Sequence, residues 1–280
     1  MKFHLQIITA PREGLRRNHL LAHLVGLWGE EGHRITVGAA DRLEADLGIL
    51  HVDRTEVSSD LLPKTPLGRP ILNQSVLDIS KRRISKHLLG PESDYAGAVM
   101  IKTDANAGGG PERSDRSIFH WKRIRRRFNS VFSWRMTREI PWGGYPVLDH
   151  LGEVPDWVWR RDDLVVEQFR PEKDGPDYVL RVWCFFGNRE YGVRLVGNQP
   201  VIKAGRVLRY DYIDSVPDSL RQARAELGVD FGKFDYVLVD GEAILLDVNK
   251  TPTLVSTSRS PGRNVRHLAS GLADYLESTE

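Results

Sequence analysis

The sequence predicts a mixed α/β (α+β) protein with a small N-terminal α/β unit and a strand-rich C-terminal half. Three observations predict it. Residues 1–70 alternate short apolar strands with an amphipathic helix, the pattern of a mainly parallel sheet. Residues 163–206 are rich in strand formers and carry a hairpin signal at Gly187-Asn188. Residues 231–252, FGKFDYVLVDGEAILLDVNKTP, read as strand, tight turn and strand, because Asp240-Gly241 tolerates the φ > 0 of a two-residue hairpin.

The chain has 280 residues, enough for one large or two modest domains. Lys and Arg number 40 against 38 Asp and Glu, and this near balance argues against a dedicated nucleic-acid binder. The single cysteine, Cys184, excludes an internal disulfide and lies in the apolar run VWCFFG, where a buried structural thiol is expected. No apolar run is long enough to cross a membrane, and MKFHLQIITAPREG lacks a signal-peptide core, so a cytoplasmic protein is expected.

In residues 1–70, Phe3 to Thr9 reads as a strand and Leu15 to Glu31 as a helix, with Leu20, Leu24 and Leu27 on one side. Ile35 to Val37 and Leu47 to His51 are further strands. No GxGxxG follows the first strand, which removes the basis for a dinucleotide site. Asp53 and Thr55 follow a strand and belong either to a polar loop or to a substrate cleft.

Asn73 reads as a loop residue or cap, and Val76 to Leu89 as a helix with basic residues outward. Ala98 to Ile101 is a buried strand ending in Lys102. Gly108-Gly109-Gly110 follows, where small residues let backbone N–H groups approach an anion. It is not a Walker A loop, which needs Gly-Lys-Ser/Thr entering a helix.

Residues 112–138 interleave Arg123, Arg125, Arg126, Arg127 and other basic residues with Trp121, Phe128, Phe132 and Trp134. Three readings stand for this insert: a solvated helical segment, a patch for an acidic substrate, or a nucleic-acid contact. Farther on, VVEQFRPE precedes two long strands that carry Arg181 and Arg194, with Lys203 on the strand run that follows. A charge on an apolar strand needs a partner, either an anionic ligand or an internal carboxylate. Pro217 to Leu227 and Asn264 to Leu276 read as helices.

In the C-terminal hairpin, Asp247 and Asn249 are two apart and share a strand face, and Asp235 lies across the turn. Two carboxylates and an amide oxygen suit Mg²⁺, which shares its shell with phosphates. A surface hairpin with solvated polar residues is the simpler alternative.

On Asp235, Asp247, Asn249 and Pro252 this hairpin resembles the metal-binding hairpin of the ATP-grasp superfamily. Asp247 stands where relatives commonly carry Glu. The order of parts upstream is similar too: a helix lysine, a strand-terminal lysine with a glycine loop, and a hinge strand. The resemblance spans roughly Asn73 to Pro252, with only the layout before it. It implies an N-terminal substrate-side domain (1–70), a central lid subdomain (71–162) and a C-terminal antiparallel-sheet ATP-binding domain (163–280). It implies ATP and Mg²⁺ as cofactors. Lys81, with Lys86 as the alternative, and Lys102 with Gly108 and Gly109 would meet phosphates. Glu167 and Phe169 would frame adenine, and Glu172 or Asp174 the ribose. Arg181, Arg194 and Lys203 would face the triphosphate, with Arg194 and Lys102 acting catalytically. Asp235, Asp247 and Asn249 would hold the metal. The implied activity joins a carboxylate of a small molecule or peptide, acidic if the insert recruits it, to an amine or other nucleophile through an acylphosphate. A kinase on the same scaffold and a non-catalytic ATP- or anion-binding module contacting nucleic acid are the alternatives.

Overall fold

The computed structural model describes residues 2–66, 68–106, 133–140, 144–254 and 262–276. Three sheets organise them. The first is parallel, in the order β2-β1-β3-β4: β1 is His4–Ile8, β2 Arg34–Gly38, β3 Leu47–Leu50 and β4 Ile71–Leu72. Helix α1 (Leu20–Glu30) packs on it through Leu20, Leu21, Leu24, Leu27 and Trp28. These positions recur at three and four residues, the spacing of one helix face.

The second sheet is antiparallel, in the order β5-β8-β6-β7: β5 is Leu88–Leu89, β6 Val99–Thr103, β7 Val147–Leu148 and β8 Leu164–Gln168. One face carries Val99, Ile101, Leu164 and Val166 and packs beneath the turn-rich segment 151–159. The other carries Met100, Lys102, Val165 and Glu167. The sequence expectation sets a boundary at 162, whereas β8 pairs with β6 and β5, so the second sheet runs on to Gln168.

The third sheet has the order β12-β11-β10-β13-β14, with β9 beside β10. Its strands are β9 (Glu172–Asp174), β10 (Asp177–Phe186), β11 (Arg189–Gly197), β12 (Arg209–Ile213), β13 (Phe231–Val239) and β14 (Glu242–Asn249). Both expected hairpins are present. Asp240 and Gly241 have φ of 53° and 82°, the conformation a two-residue turn of matching twist requires. Val182, Cys184, Phe186 and Phe231 lie on one face, where α1 and α4 (Arg263–Ala269) cover part of it. Trp183, Phe185, Phe234, Tyr236 and Val248 lie on the other, covered by residues 76–84 and by α3 (Asp218–Leu227). The Cys184 thiol is buried, and burial pushes it up to about 11, as a structural cysteine requires.

The helix expected over Val76–Leu89 shrinks to α2, Lys81–Ile84. Val57 N–H donates to Leu77 and Ile79 N–H to Thr55, holding 77–79 extended, and Leu88–Leu89 joins β8. Tertiary pairing overrides the local helical pattern here. The stretch before α3 contains β12, Arg209–Ile213. Lys203, expected on a strand, lies just before a short turn at Ala204–Arg206 instead. Pro200, without an N–H, interrupts the strand run before it.

Candidate active site

The C-terminal hairpin brings Asp235 directly opposite Asp247, and Asn249 opposite Lys233. A register shift after Asp235 marks a bulge in β14, so alternation does not carry through the carboxylate pair. Each carboxylate faces an ammonium. Lys233 Nζ donates to Asp235 Oδ2 at 3.0 Å, and Lys81 Nζ donates to Asp247 Oδ1. Burial alone would lower the Lys81 ammonium. The charge and hydrogen bond of Asp247, helped by Tyr145 and Glu167, outweigh burial and raise it. Burial raises the Asp235 carboxyl, Lys233 opposes that, and Asp247 adds to it.

On the facing sheet, Lys102 on β6 and Glu167 on β8 form a second buried pair; their side chains are 9% and 4% exposed. Lys81 N–H donates to Asp104 O at 3.0 Å, just past the end of β6, while its ammonium pairs with Asp247 on β14, so α2 bridges the two sheets at one cleft. Lys86 is exposed, so α2 turns Lys81 and not Lys86 into that cleft. Phe169 N–H donates to Ala98 O at 2.8 Å, which fixes the chain leaving β8 against β6. The glycine run at 108–110, with Gly108 and Gly109, lies outside the described residues, as does the insert from 112 to 132. Its entry is anchored: Asn106 N–H donates to the buried Thr55 Oγ1 at 2.8 Å.

The strand register corrects the expectation for Arg181 and Arg194. Arg181 pairs across with Arg194 and with Tyr236, so both arginines share the face of Trp183 and Tyr236. Asp235, opposite Val182, is on the other face. A side chain cannot change face within a regular strand. Their partners are internal. Arg181 forms a bidentate pair with Glu172 at 2.8–3.1 Å, and Arg194 donates to Asp174 at 3.0 Å. Glu172 also accepts from Leu238 N–H at 2.8 Å, and Asp174 from Arg209 at 2.6 Å. Both acids expected to hold a ribose are therefore engaged in an ion network. Asp177, at the start of β10, is half-buried, and its carboxylate has no hydrogen bond or ion pair among the described residues. A concavity of about 630 Å³ lies beside this network against Arg181, Ile213, Val216 and Leu238, and holds none of the cleft's lysines.

Sequence reasoning misses Lys233 and Asp177. The signal for Lys233 is its spacing, two before Asp235 on the same strand face. The signal for Asp177 is only its place at the head of the strand after the hinge.

The N-terminal sheet docks on the far end of the hairpin. Thr251 N–H donates to Asn249 Oδ1 at 2.8 Å, and Thr251 Oγ1 donates to Asp53 at 2.9 Å. Leu20 N–H bonds Pro252 O, and Leu254 N–H bonds Asn18 O, both at 2.8 Å. His19 and His51, both buried, share a 2.7 Å hydrogen bond at this junction. Asp53 thus sits beside Asn249, at the carboxyl end of a parallel strand, where open α/β sheets place ligands.

Whether these residues fit Mg²⁺ is answered by their donors. Among the described residues no three His, Cys, Asp or Glu side chains form a metal cluster. Asp235 Oδ1 is buried without a hydrogen-bond partner, Asp247 is opposite, and Asn249 Oδ1 accepts from Thr251 N–H at 2.8 Å with Thr251 Oγ1 at 3.4 Å. Two carboxylates and one amide oxygen fit a cation that takes its remaining ligands from phosphate and water.

No protein-family model matches the sequence, and no curated protein matches it. Solved structures do. A RimK domain ATP-grasp protein from Sphaerobacter thermophilus aligns at a TM-score of 0.52 with 11% identity, over 98% of this chain and 99% of that one. D-alanine–D-alanine ligase from Bacillus anthracis complexed with ATP aligns at 0.50 with 12% identity, over 99% and 97%. The ATP-grasp ligase PsnB, complexed with precursor peptide PsnA2 and AMPPNP, aligns at 0.50 with 12% identity, over 97% and 98%. At these identities the likeness shows the fold: the chain has the ATP-grasp fold.

Proposed function

We propose that this chain is a Mg-ATP-dependent ligase that activates a carboxylate as an acylphosphate and passes the acyl group to an amine or another nucleophile. One observation carries the reading. Three buried or half-buried lysines, Lys81, Lys102 and Lys233, converge on one cleft between two sheets, each held by a carboxylate. Buried ion pairs are costly to build, and their concentration in a cleft marks a functional site. The ATP-bound and AMPPNP-bound neighbours of the same fold support a nucleotide as the ligand of that cleft.

In this reading Lys102 and Lys81 exchange part of their carboxylate pairing for phosphate oxygens. Glu167 and the Phe169 hinge frame the base, and the unpaired Asp177 takes the sugar hydroxyls in place of Glu172. Lys233 takes the charge-offsetting role expected of Arg194. Asp235, Asp247 and Asn249 would hold Mg²⁺, which when bound neutralises phosphate charge. The acceptor carboxylate is already ionised at neutral pH, so its attack on the γ-phosphorus, expelling ADP, needs no protein base. Charge stabilisation by the lysines is the protein's contribution to that step. An incoming amine then attacks the acyl carbon and phosphate leaves. The carboxylate enters from the side of Asp53 and the N-terminal sheet. The arginine-rich insert favours an acidic acceptor, either a small molecule or a peptide.

The test is ADP release measured against a panel of free and peptidyl carboxylates with hydroxylamine present. A ligase forms a hydroxamate with the active carboxylate. ADP release with a phosphorylated alcohol as product would make the protein a kinase. ATP binding without turnover on any carboxylate would support the non-catalytic alternative.

A further inference from the structure

The third sheet ends in an edge that its neighbours leave open. β12 pairs with β11 on one side, and among the described residues nothing pairs with its other side. Its residues are the most exposed of any strand. Tyr210 and Tyr212 are 61% and 64% exposed, and Leu208 just before them is 62% exposed. The two tyrosines touch edge to face, with ring centroids 6.2 Å apart. Arg209 and Asp211 alternate with them onto the opposite face, 3.4 Å from each other. Natural edge strands are usually blunted by lysine, proline or a bulge. The stretch LRYDYI, 208–213, has neither lysine nor proline; its register with β11 is unbroken from Arg209 to Ile213, and Leu208 N–H, just before it, donates to Val196 O at 2.8 Å.

The order of these residues selects a partner. If two copies of the stretch pair antiparallel about Tyr210, Leu208 meets Tyr212, Arg209 meets Asp211, and Tyr210 meets itself. Each is a favourable cross-strand pair: aromatic with aliphatic, opposite charges, aromatic with aromatic. Centring the pair on Asp211 instead sets two carboxylates directly opposite and wastes Arg209 on Ile213. Centring it between residues puts tyrosines against charges and crosses the two faces. Charge and shape thus complement each other in one register only, and the complement is the stretch itself.

We propose that β12 is a twofold self-association edge, on which a second copy of this chain adds its own β12 and joins the two third sheets into one. Such an isologous contact needs the same patch on both copies, which is what a self-complementary strand supplies. The tyrosine face is the face of Val193, Val182 and Asp235. The contact therefore lies three strands from Asp235, about 14 Å at ordinary strand spacing, and both clefts open on the same side of the joined sheet. The inference does not depend on the reaction.

The test is the mass of the full chain in solution by light scattering over a range of concentrations, with hydrogen exchange on β12. Wild type is expected at twice the chain mass, with β12 amides losing protection on dilution. Arg209→Asp places acid against Asp211 at both symmetric positions, and Asp211→Arg places base against Arg209. Each single variant, folded by circular dichroism, is expected to lose the dimer. The double variant Arg209→Asp/Asp211→Arg restores both pairs and is expected to regain it. A wild-type monomer at the highest soluble concentration overturns the proposal, as does a dimer that all three variants retain. Concentration-independent protection of β12 in a monomer also overturns it, and means that the chain covers its own edge.

Discussion

At the scale of single residues, the cleft is built from charges that neutralise one another until a ligand intervenes. Lys233 shows how tightly they are coupled. Its Nζ is 3.0 Å from Asp235, whose other oxygen has no hydrogen-bond partner. Lys233→Met leaves that carboxylate unpaired, and is expected to cost about 2 kcal/mol of stability. It should also lower turnover by more than about a hundredfold, the scale of losing one transition-state charge contact. Lys233→Arg should restore stability more fully than turnover. Urea denaturation and ADP release on the two variants measure this, and near wild-type turnover in a folded Lys233→Met variant would remove Lys233 from the chemistry. The hairpin itself was legible in the sequence from its two-residue turn, but the bulge that sets Asp247 rather than Leu246 opposite Asp235 was not. Nor were the arginines. Whether Arg181 faces the cleft depends on the phase of β10 against β13, which is set by pairing between strands far apart in the chain. The true partners of Arg181 and Arg194 are Glu172 and Asp174, so these acids and arginines explain each other without a ligand.

At the scale of elements, the hairpin is held in place by a residue the sequence marks only as a loop or cap. Asn73 is fully buried with φ of 60°, a conformation asparagine tolerates better than most residues. Its side chain accepts from Asp230 N–H and Phe231 N–H at 2.9 and 3.1 Å, and donates to Phe231 O at 2.8 Å. It therefore staples the end of β4 to the start of β13. Asn73→Ala strands three buried backbone groups and strains the backbone, and is expected to destabilise the protein by about 3 kcal/mol. The shift in urea midpoint reads this directly, and a change under about 0.5 kcal/mol would mean that the staple is dispensable. The helix expected over 76–89 fails for a related reason. Its apolar spacing suits a helix, yet Val76, Ile79 and Ile84 bury against Trp183, Phe234 and Val248, and residues 77–79 pair with 55–57. Long-range pairing of that kind leaves no trace in local periodicity. The turn of the hairpin at 231–249 needed no such help, since Asp240-Gly241 marks it locally.

At the scale of the whole molecule, the N-terminal sheet and the hairpin are joined through Asp53, Thr251 and the His19–His51 pair. Burial pushes the His51 imidazole down to about 3, with the charges of His19 and Arg16 acting in the same direction. Its folded value is thus below the ordinary one of about 6.5. Between those two values the unfolded chain binds a proton that the folded chain refuses, so stability falls as pH falls from about 6.5 and levels off near 3. The contribution approaches about 1.4 kcal/mol per pH unit. His51→Asn should flatten the slope of stability between pH 4 and 6 by nearly one proton, and an unchanged slope would place the acid sensitivity elsewhere. The mixed α/β architecture was readable from the chain. The extent of the second sheet to Gln168 was not, because β8 follows a long insertion before it returns to β6. The central claim is that the cleft between the second and third sheets takes a nucleotide together with Mg²⁺. Calorimetric titration with a non-hydrolysable ATP analogue, with and without Mg²⁺, on wild type and on a folded Asp247→Asn variant, tests it most directly. The account predicts binding that Mg²⁺ strengthens in wild type and no longer strengthens in the variant. Absence of nucleotide binding in wild type, or Mg²⁺ dependence that survives in Asp247→Asn, would contradict it.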